Sequence, residues 1–394
     1  MKQIAITGNK GDRIRSDCQV KLDLREKGGL NIIVQSKVDR MFGKQIRQLA
    51  LEVLETLGIS HALLEIEDSG ALPFVIAARI EAAVKQLLDT DKSWIPPLIE
   101  QNHYESSRER FRFSRLYLPG NSPSMMLNAG IHRPEGIILD LEDSVAPDRK
   151  AEARLLVRNA LCQVDFYGVE RMVRINQLPG GLEDLDEVVP RQVHLVLLPK
   201  CEHASQVVEV VERIDAILKA HKQEREIFLM PIIESCLGVE KAFEIASASA
   251  SVVAMAIGLE DYTADLGVKR TEMGEESLYA RTRLVNACKA AGIQPIDSVY
   301  SDVANMDGLR KNVETSRSLG FEGMGCIHPR QVPVIQEAFV PGEEEIEKAR
   351  RIVEAFEEAQ ARGSGVVALG SKMIDPPVVL RAQKTLVLAR QLKP

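Results

Sequence analysis

Residues 228–234 read FLMPIIE, an apolar run that ends in the carboxylate of Glu234. Residues 254–261 read AMAIGLED and end in Glu260 and Asp261. Apolar runs of this length, bounded by polar residues, are typical of strands that are buried on both faces. In α/β barrels the carboxyl ends of such strands carry the chemistry. Two carboxylates on neighbouring strands could hold one hard cation, and Mg²⁺ is typically bound by one or two carboxylates plus substrate oxygens.

Eight short apolar runs follow one another from residue 115 onward, and helix-patterned stretches separate several of them. The runs are 116–118, 136–141, 172–175, 195–198, 227–233, 252–257, 293–296 and 321–327. Eight strand–helix units in about 250 residues predict a TIM (β/α)₈ barrel. An open doubly wound sheet is the alternative fold. No glycine-rich fingerprint opens a helix after the first of these strands, which disfavours that alternative.

The first 90 residues have a different pattern, with alternating strand-like runs and two amphipathic helices. The predicted strands are 18–24, 30–35 and 62–67, and the predicted helices are 38–57 and 74–88. We therefore predict a small α+β domain over residues 1–90, followed by a polar, proline-containing linker over 91–112. The barrel is predicted over 113–362, including a long helix at 343–361, and a C-terminal segment over 363–394.

The composition excludes several classes of protein. The chain has 394 residues, enough for two or three domains, and a net charge of −7 that argues against a nucleic-acid partner. The six cysteines show no CxxC spacing, so neither a zinc site nor a disulfide framework is indicated. No apolar run approaches the roughly 20 residues of a membrane span, and the N-terminus carries no signal-peptide pattern. We expect a cytoplasmic protein with no membrane partner.

Seven of the eight predicted strands are followed by polar or charged residues, which a barrel would bring to one rim. In chain order these are Asp140 with Glu142 and Asp143, Arg174 with Asn176, Lys200, Glu234, Glu260 with Asp261, Asp297, and His328 with Arg330. Each alone has an ordinary structural explanation, such as a helix cap, an ion pair or a hydrogen-bonded core histidine. Their coincidence at seven strand ends favours a functional site.

The residue types at this rim indicate one kind of chemistry. A carbonyl next to a carboxylate can chelate Mg²⁺ through two oxygens, and the metal can then stabilise a developing enolate or alkoxide. An arginine beside the metal offers a planar fork for a substrate carboxylate. This set suits carbon–carbon cleavage of a β-hydroxy acid, or the reverse condensation.

The barrel region resembles the citrate lyase β-subunit family through motifs that occur in the family's order across residues 113–385. The matching stretches are RLYLPGN at 115–121, LDLEDSV at 139–145, VRIN at 173–176, LPK at 198–200, IES at 233–235, GLED at 258–261, CIHPRQ at 326–331 and KMIDPP at 372–377. The resemblance implies a TIM barrel, usually assembled as a trimer. It also implies that the barrel binds Mg²⁺ and cleaves acyl thioesters of 3-hydroxy acids.

Roles for individual residues are implied by the same resemblance. Glu234 and Asp261 are implied as the metal ligands, and Arg174 as the residue that binds the carboxylate of the α-keto acid product. Asp375 is placed on a C-terminal helical lid that reaches the active site of a neighbouring subunit. There it would exchange a proton with the enol or enolate of the acetyl thioester.

Two further sets of residues acquire implied roles. Asp140 and Glu142, with Asp143, match the acidic rim motif of the family and are implied to hold metal-bound waters or Arg174. Arg115 is implied as a contact to the substrate or its thioester.

The first 90 residues resemble the acyl carrier subunit of the same citrate lyase system, through SKVDRMFG at 36–43, EDSGAL at 67–72 and AARIEA at 77–82. That subunit carries a phosphoribosyl-dephospho-coenzyme A arm on a serine near its N-terminus. Ser16 is the candidate here, although the register also allows the attachment position to fall on Arg15. In that case the domain would only dock or oligomerise. With the arm present, linker 91–112 would set its reach and give the thioester a high effective concentration at the barrel.

These features together predict a Mg²⁺-dependent lyase that cleaves a citryl thioester, on a carrier or on coenzyme A, into oxaloacetate and an acetyl thioester. A lyase for malyl or citramalyl thioesters of free coenzyme A is the second hypothesis. The third is a non-catalytic carrier or assembly subunit, which the intact set of Glu234, Asp261, Arg174 and Asp375 disfavours. A citrate lyase α-subunit-like acyl transferase is a candidate partner, and the sequence leaves open whether it is needed.

Overall fold

The computed structural model describes residues 4–361, 367–369 and 372–391. Its strands, in chain order, are β1 (Ile4–Gly8), β2 (Cys18–Leu24), β3 (Leu30–Ser36), β4 (Ala62–Asp68), β5 (Ser114–Pro119), β6 (Gly136–Asp140), β7 (Glu170–Arg174), β8 (Leu195–Leu198), β9 (Phe228–Ile233), β10 (Ala254–Ile257), β11 (Gln294–Asp297), β12 (Gly323–Cys326), β13 (Val367–Leu369) and β14 (Lys372–Ile374).

The α-helices, in chain order, are α1 (Asp39–Thr56), α2 (Pro73–Leu87), α3 (Pro123–Met126), α4 (Lys150–Gln163), α5 (Gly181–Val188), α6 (Ala204–Ala220), α7 (Cys236–Glu240), α8 (Ala242–Ala246), α9 (Leu259–Leu266), α10 (Leu278–Ala291), α11 (Met306–Leu319), α12 (Gln331–Phe339), α13 (Glu343–Ala361) and α14 (Pro376–Gln391). None of the helices in the described ranges is long and apolar enough to cross a membrane.

Strands β5 to β12 form a closed barrel in which every neighbouring pair is parallel. Each of the eight predicted apolar runs coincides with one of these strands, so the prediction of a TIM barrel is confirmed. Successive residues of a strand point to opposite faces. One set, including Met172, Phe228 and Met230, fills the barrel interior, and the alternate set packs against the surrounding helices. Burial on both faces explains why these strands lack polar alternation.

The small N-terminal unit is a four-stranded sheet in the order β1-β2-β4-β3, with α1 and α2 packed on its apolar face. The predicted small α+β arrangement is present, and β1 is an additional strand that the sequence pattern does not predict. Ile4 and Ile6 on β1 are 48% and 54% exposed, so its large side chains point away from the core. A strand that turns its isoleucines outward has no apolar stripe typical of a half-buried strand.

Helix α2 is buried on all sides because it belongs to two cores. Ile76, Ile80 and Val84 pack into the core of the small sheet, whereas Phe74 and Val75 belong to the core of the barrel. A helix with apolar residues on all its faces is typically buried in this way, and here the charged residues Arg79 and Glu81 are buried as well. The small unit therefore rests on the barrel through a shared helix.

The segment from 91 to 112, predicted as a linker, is anchored to the amino-terminal end of the barrel. The side-chain amide of Asn102 donates to the carbonyls of Leu161 and Val164 at 3.1 and 2.8 Å. Arg112 is fully buried and pairs with Glu170 at 2.8 Å. In a flexible linker the side chains of Asn102 and Arg112 would be in water. The 91–112 segment is instead fixed to the barrel in this structure, so it does not act as a flexible tether that sets the reach of an arm on the small unit.

The C-terminal part consists of α13, the β13–β14 hairpin and α14. Phe356, Ile374 and Val379 form a small apolar cluster that holds α14 against α13. The predicted lid segment lies partly outside the described residues, at 363–366, 370–371 and 392–394. The division of the chain at residues 90, 112 and 362, and the role of the last segment as a lid, stay predictions.

Candidate active site

A cavity of about 770 Å³ opens at the carboxyl ends of the barrel strands. Residues from several different strands and from the loops that follow them line it, among them Asp140, Arg174, Glu234 and Asp261. The structure therefore brings together four side chains that are separated by up to 121 positions along the chain. This is the rim at which TIM barrels place their chemistry.

Glu234 follows the last residue of β9 and is only 6% exposed. Its carboxylate accepts a hydrogen bond from the backbone N–H of Lys200 at 3.0 Å. Burial raises the pKa of Glu234 to about 8, although the charge of Arg174 acts in the opposite direction. The charged form of this buried carboxylate has no arginine bonded to it among the described residues, so a bound cation would stabilise it.

Gly258 makes room for Glu234. A Cβ atom at this position would lie 2.6 Å from both Cγ and Oε1 of the glutamate. Gly258 precedes α9, whose first turn carries Asp261. Any side chain at residue 258 would therefore displace one candidate ligand from its place beside the other.

Asp261 is half-exposed, and Lys200 lies between it and Glu142, which follows β6. The ammonium of Lys200 is 3.4 Å from Asp261 and 3.8 Å from Glu142. Lys200 also has a left-handed backbone with φ of 47°, which is uncommon for a residue other than glycine and recurs at functional sites. The local field at these carboxylates thus already attracts a cation.

Arg174, at the end of β7, is held by an acidic cluster. Its Nε and Nη2 atoms donate to the two oxygens of Asp140 at 2.6 and 2.8 Å, and its Nη1 lies 2.9 Å from Glu142. Burial lowers the pKa of Arg174, but the hydrogen bonds and charge of Asp140 outweigh it, so the pKa is raised. The guanidinium also lies 5.4 Å from the centre of the Tyr117 ring. Arg174 is consequently a fixed cation at the wall of the cavity.

Asp140 and Glu142 contact Arg174 directly, which is one of the two roles that the family resemblance implies for them. The pKa of Asp140 would be raised by burial but is lowered overall because Arg174 donates to it. Burial raises the pKa of Glu142. Whether either residue also touches a substrate, as predicted, stays a prediction.

Arg115 forms part of the cavity floor. It is 1% exposed, and its Nη1 reaches across the barrel to the sulfur of Met230 at 2.9 Å. Burial lowers the pKa of Arg115 to about 10, and its Nε has no hydrogen-bond partner in the described part of the chain. The position agrees with a contact to substrate, which stays a prediction.

Glu142 contacts Arg174 but does not itself line the cavity, and two further predicted site residues lie apart from it. Asp375 precedes α14, where its side chain accepts the N–H of Val378 at 3.2 Å, and it does not line the cavity of its own chain. Ser16 lies on the small unit with a left-handed φ of 56°, and its N–H donates to the carbonyl of Ser69 at 3.1 Å. The role of Asp375 in a neighbouring subunit and the attachment at Ser16 both stay predictions.

Several cavity residues lack a sequence signal strong enough to predict them. Tyr117 points inward from β5, and Asn128 and His132 lie on the loop after α3. The PGNSP stretch at 119–123 predicts a turn after β5. It is the one sequence pattern that indicates where this side of the cavity lies. The position of Lys200 between Glu142 and Asp261 likewise depends on three strands and cannot be read from spacing.

The fold and the site together define an α/β-barrel enzyme with carboxylates and a fixed arginine at its catalytic rim. Residues 114–329 match the sequence profile of HpcH/HpaI aldolase/citrate lyase, and residues 9–87 match an acyl-carrier profile described as malonate decarboxylase delta subunit. The chain belongs to the HpcH/HpaI aldolase/citrate lyase family. It is a carbon–carbon lyase with an acyl-carrier-like N-terminal domain, so the predicted class of enzyme is confirmed.

Two relatives illustrate the range of this similarity. The citrate lyase subunit beta of Haemophilus influenzae is 40% identical over 284 residues, which cover 71% of this chain and 98% of the relative. The mitochondrial citramalyl-CoA lyase of Homo sapiens is 31% identical over 337 residues, which cover 82% of this chain and 99% of the relative.

Solved structures agree with the barrel. The CitE protein of Mycobacterium tuberculosis in complex with magnesium, acetoacetate and coenzyme A superposes with a TM-score of 0.62 at 29% identity, covering 72% of this chain and all of that one. The citrate lyase beta subunit of the same organism with oxaloacetate and magnesium gives a TM-score of 0.51 at 29% identity, covering 59% of this chain and 99% of that one.

Proposed function

We propose that this chain is a Mg²⁺-dependent lyase that cleaves a citryl thioester into oxaloacetate and an acetyl thioester. The observation that carries the proposal is one cavity that combines the buried carboxylate of Glu234, the carboxylate of Asp261 and the fixed cation Arg174. The higher identity to citrate lyase beta subunits than to citramalyl-CoA lyases supports the citryl group.

Glu234 and Asp261 would hold the Mg²⁺. No group of three or more His, Cys, Asp or Glu side chains suited to a metal occurs among the described residues, but Mg²⁺ commonly uses one or two carboxylates and completes its shell with water and substrate. The lysine ammonium already drawn to Asp261 supports a cation at this point. When bound, Mg²⁺ would supply Lewis-acid stabilisation of the negative charge on the keto-acid oxygen.

The chain's own residues would orient the substrate and manage its charge. Arg174 would receive a carboxylate of the keto-acid half, and its hold on Asp140 and Glu142 keeps its side chain in place beforehand. In the reaction the hydroxyl gives its proton to solvent, its oxygen forms the C=O bond of the keto acid as the adjacent carbon–carbon bond breaks, and the electron pair of the broken bond remains on the acetyl thioester as an enolate. A proton on that carbon completes the products, and we propose Asp375 of a neighbouring subunit as its source. An Asp375→Asn variant that still exchanged solvent deuterium into an acetyl thioester at the normal rate would refute that role.

A panel of thioesters tests the substrate. Citryl-, malyl- and citramalyl-CoA are incubated with the full chain and Mg²⁺, and the release of oxaloacetate, glyoxylate or pyruvate is followed. We expect oxaloacetate from the citryl ester. Release of glyoxylate or pyruvate alone would establish the second hypothesis, a lyase for malyl or citramalyl thioesters. Failure to release any keto acid, from a folded protein that binds Mg²⁺, would favour a non-catalytic carrier or assembly subunit.

The affinity for Mg²⁺ is expected to depend on pH through Glu234. Because its pKa lies at about 8 in the metal-free protein, most of the carboxyl is neutral at pH 7 and must lose its proton to bind the metal. Affinity should rise with pH up to about 8 and fall about tenfold per unit below it. Calorimetry at pH 7 in two buffers of different ionisation enthalpy should show net release of protons as Mg²⁺ binds. Binding with no proton release would contradict the assignment, and Glu234→Gln, which should bind no Mg²⁺, gives the background heat in each buffer.

The acyl-carrier-like domain supports a covalent thioester, and we propose Ser16 as the attachment site of a phosphoribosyl-dephospho-coenzyme A arm. Intact mass of the protein from its native host, followed by peptide mapping, tests this. A mass increase on the peptide with Ser16 is expected. An unmodified peptide would move the substrate to free coenzyme A esters or to a separate carrier. A trimeric assembly and an acyl-transferase partner are also proposed, and native mass spectrometry of that sample would detect both.

A further inference from the structure

One wall of the cavity is contributed by residues 119–132, which connect β5 to β6. Pro119, Ser124, Met125, Asn128 and His132 from this stretch line the cavity. After the last residue of β5 the stretch contains only the single-turn helix α3 and a short 3₁₀ helix at Ala129–His132, so it needs anchors outside itself to keep its place.

Arg79, on α2 of the acyl-carrier-like domain, holds the start of this wall. Its Nη2 donates to the backbone carbonyl of Asn121 at 3.2 Å, and the same nitrogen donates to Asp17 at 3.0 Å. Its Nε donates to the other oxygen of Asp17 at 3.1 Å. One guanidinium nitrogen therefore bridges the small domain to the first turn of the wall.

The rest of the Arg79 environment fixes the guanidinium from the barrel side. Its Nη1 lies 3.3 Å from Glu152 on α4, as an ion pair without hydrogen-bond geometry. Glu152 in turn accepts the N–H of Gly8 at 3.1 Å. All three charged side chains are buried, with Arg79 at 0% exposure. A buried charge with this many partners has little freedom to move.

We propose that Arg79 is a positioning residue for the lyase reaction, through which the acyl-carrier-like domain holds the 119–132 wall of the active site. The domain then has a role in the barrel's substrate binding that is separate from carrying a thioester. This role goes beyond the proposed function and does not depend on modification of Ser16. The ligands proposed for Mg²⁺ lie after β9 and on α9, outside the 119–132 wall, so the affinity for Mg²⁺ should not depend on Arg79.

The same interface offers a matched control. Arg158 on α4 is also fully buried and pairs with Glu81 on α2 at 2.7 Å, with Glu187 at 3.0 Å and with the carbonyl of Trp94 at 3.0 Å. None of these partners belongs to the 119–132 wall, whereas Asn121, the backbone partner of Arg79, does. Arg158→Lys and Arg79→Lys therefore both weaken the contact between domain and barrel, but only Arg79→Lys releases the wall.

The test compares these two variants in the full chain. Lysine keeps the charge but, with one nitrogen, cannot bridge Asp17, Glu152 and Asn121 together. Hydrogen–deuterium exchange of peptides from 119–132 should be faster in Arg79→Lys than in the wild type, and unchanged in Arg158→Lys. With citryl-CoA as the probe, kcat/KM should fall about tenfold in Arg79→Lys, mainly through KM, because a small misplacement of a binding wall costs that much or more. Mg²⁺ affinity should stay within about twofold, because no wall residue is a metal ligand.

Wild-type exchange of 119–132 in Arg79→Lys would overturn the proposal, as would equal losses of kcat/KM in the two variants at equal melting temperature. If Arg79→Lys does not fold, the triple variant Arg79→Met, Asp17→Asn, Glu152→Gln removes the charges together and should show the same exchange and kinetics. The exchange measurement needs no substrate. An inactive wild type would therefore refute the proposed function and leave the exchange result to decide the role of Arg79.

Discussion

Replacement of Glu234 by Gln is expected to abolish Mg²⁺ binding and thioester cleavage together, with a loss of kcat of about a thousandfold or more. Glutamine has nearly the same shape and can still accept the N–H of Lys200, so the fold should be retained. What it lacks is the negative charge that a hard cation needs. Asp261→Asn should behave in the same way. Titration calorimetry with Mg²⁺ and a keto-acid release assay measure both effects.

Glu260→Gln is the matched control for this pair. Glu260 adjoins Asp261, but its carboxylate is 60% exposed and bound by Arg270 at 2.8 Å. Its neutralisation should leave Mg²⁺ affinity within about twofold, since a screened surface pair contributes little. If Glu260→Gln lost the metal while Asp261→Asn kept it, the ligand assignment at the start of α9 would be wrong by one residue. Full activity in Glu234→Gln would refute the metal site altogether.

Arg174→Lys is expected to lower kcat/KM for the citryl thioester by about a hundredfold while leaving Mg²⁺ binding intact. Lysine keeps a positive charge near Asp140 and Glu142 but loses the planar fork that binds a carboxylate through two parallel hydrogen bonds. Steady-state kinetics and calorimetry on one preparation separate the two effects. Loss of metal binding in parallel with activity would assign Arg174 to the metal site, and unchanged kinetics would exclude it from substrate binding.

Arg174→Met would not be an equivalent experiment. Removing the cation leaves Asp140 buried with no cationic partner and Glu142 with only Lys200 at 3.8 Å, and breaking a buried pair in this way typically costs about 3–5 kcal/mol of stability. Inactivity in that variant would therefore mix unfolding with lost binding. The double variant Arg174→Met, Asp140→Asn removes part of that penalty. It should melt at a higher temperature than the single variant and remain inactive.

The barrel could be predicted from the sequence because its strands are buried on both faces and therefore appear as uninterrupted apolar runs. Glu234 and Asp261 could be placed at one rim for the same reason, since Glu234 directly follows one such run, Asp261 comes shortly after the next, and parallel strands end at the same side. Strand β1 could not be predicted because Ile4 and Ile6 face outward. The packing of α2 into two cores could not be predicted either. Helical periodicity shows which residues are apolar, but it does not show which neighbouring element each face contacts.

The details of the site depend on contacts between distant segments. The fork of Arg174 on Asp140 joins two adjacent strands, and the approach of Lys200 to Asp261 joins the end of β8 to the start of α9. Spacing along the chain gives the identity of these residues but not the direction of their side chains. The same limit applies to Asp375, whose side chain caps α14 in its own chain and whose predicted partner would be another copy.

The double membership of α2 has an evolutionary consequence. Ala77 packs into the small sheet and Ala78, the next residue, packs into the barrel, so enlarging either would overpack a different core at a cost of about 1–3 kcal/mol. Substitutions within one turn of α2 are thus constrained by the packing of both units. A descendant that lost the small domain would expose the face of α4 that packs against α2. It would need polar residues on that face and, at the same time, a neutral residue in place of Arg158. Loss of the small domain therefore requires several simultaneous substitutions, whereas keeping both units requires none.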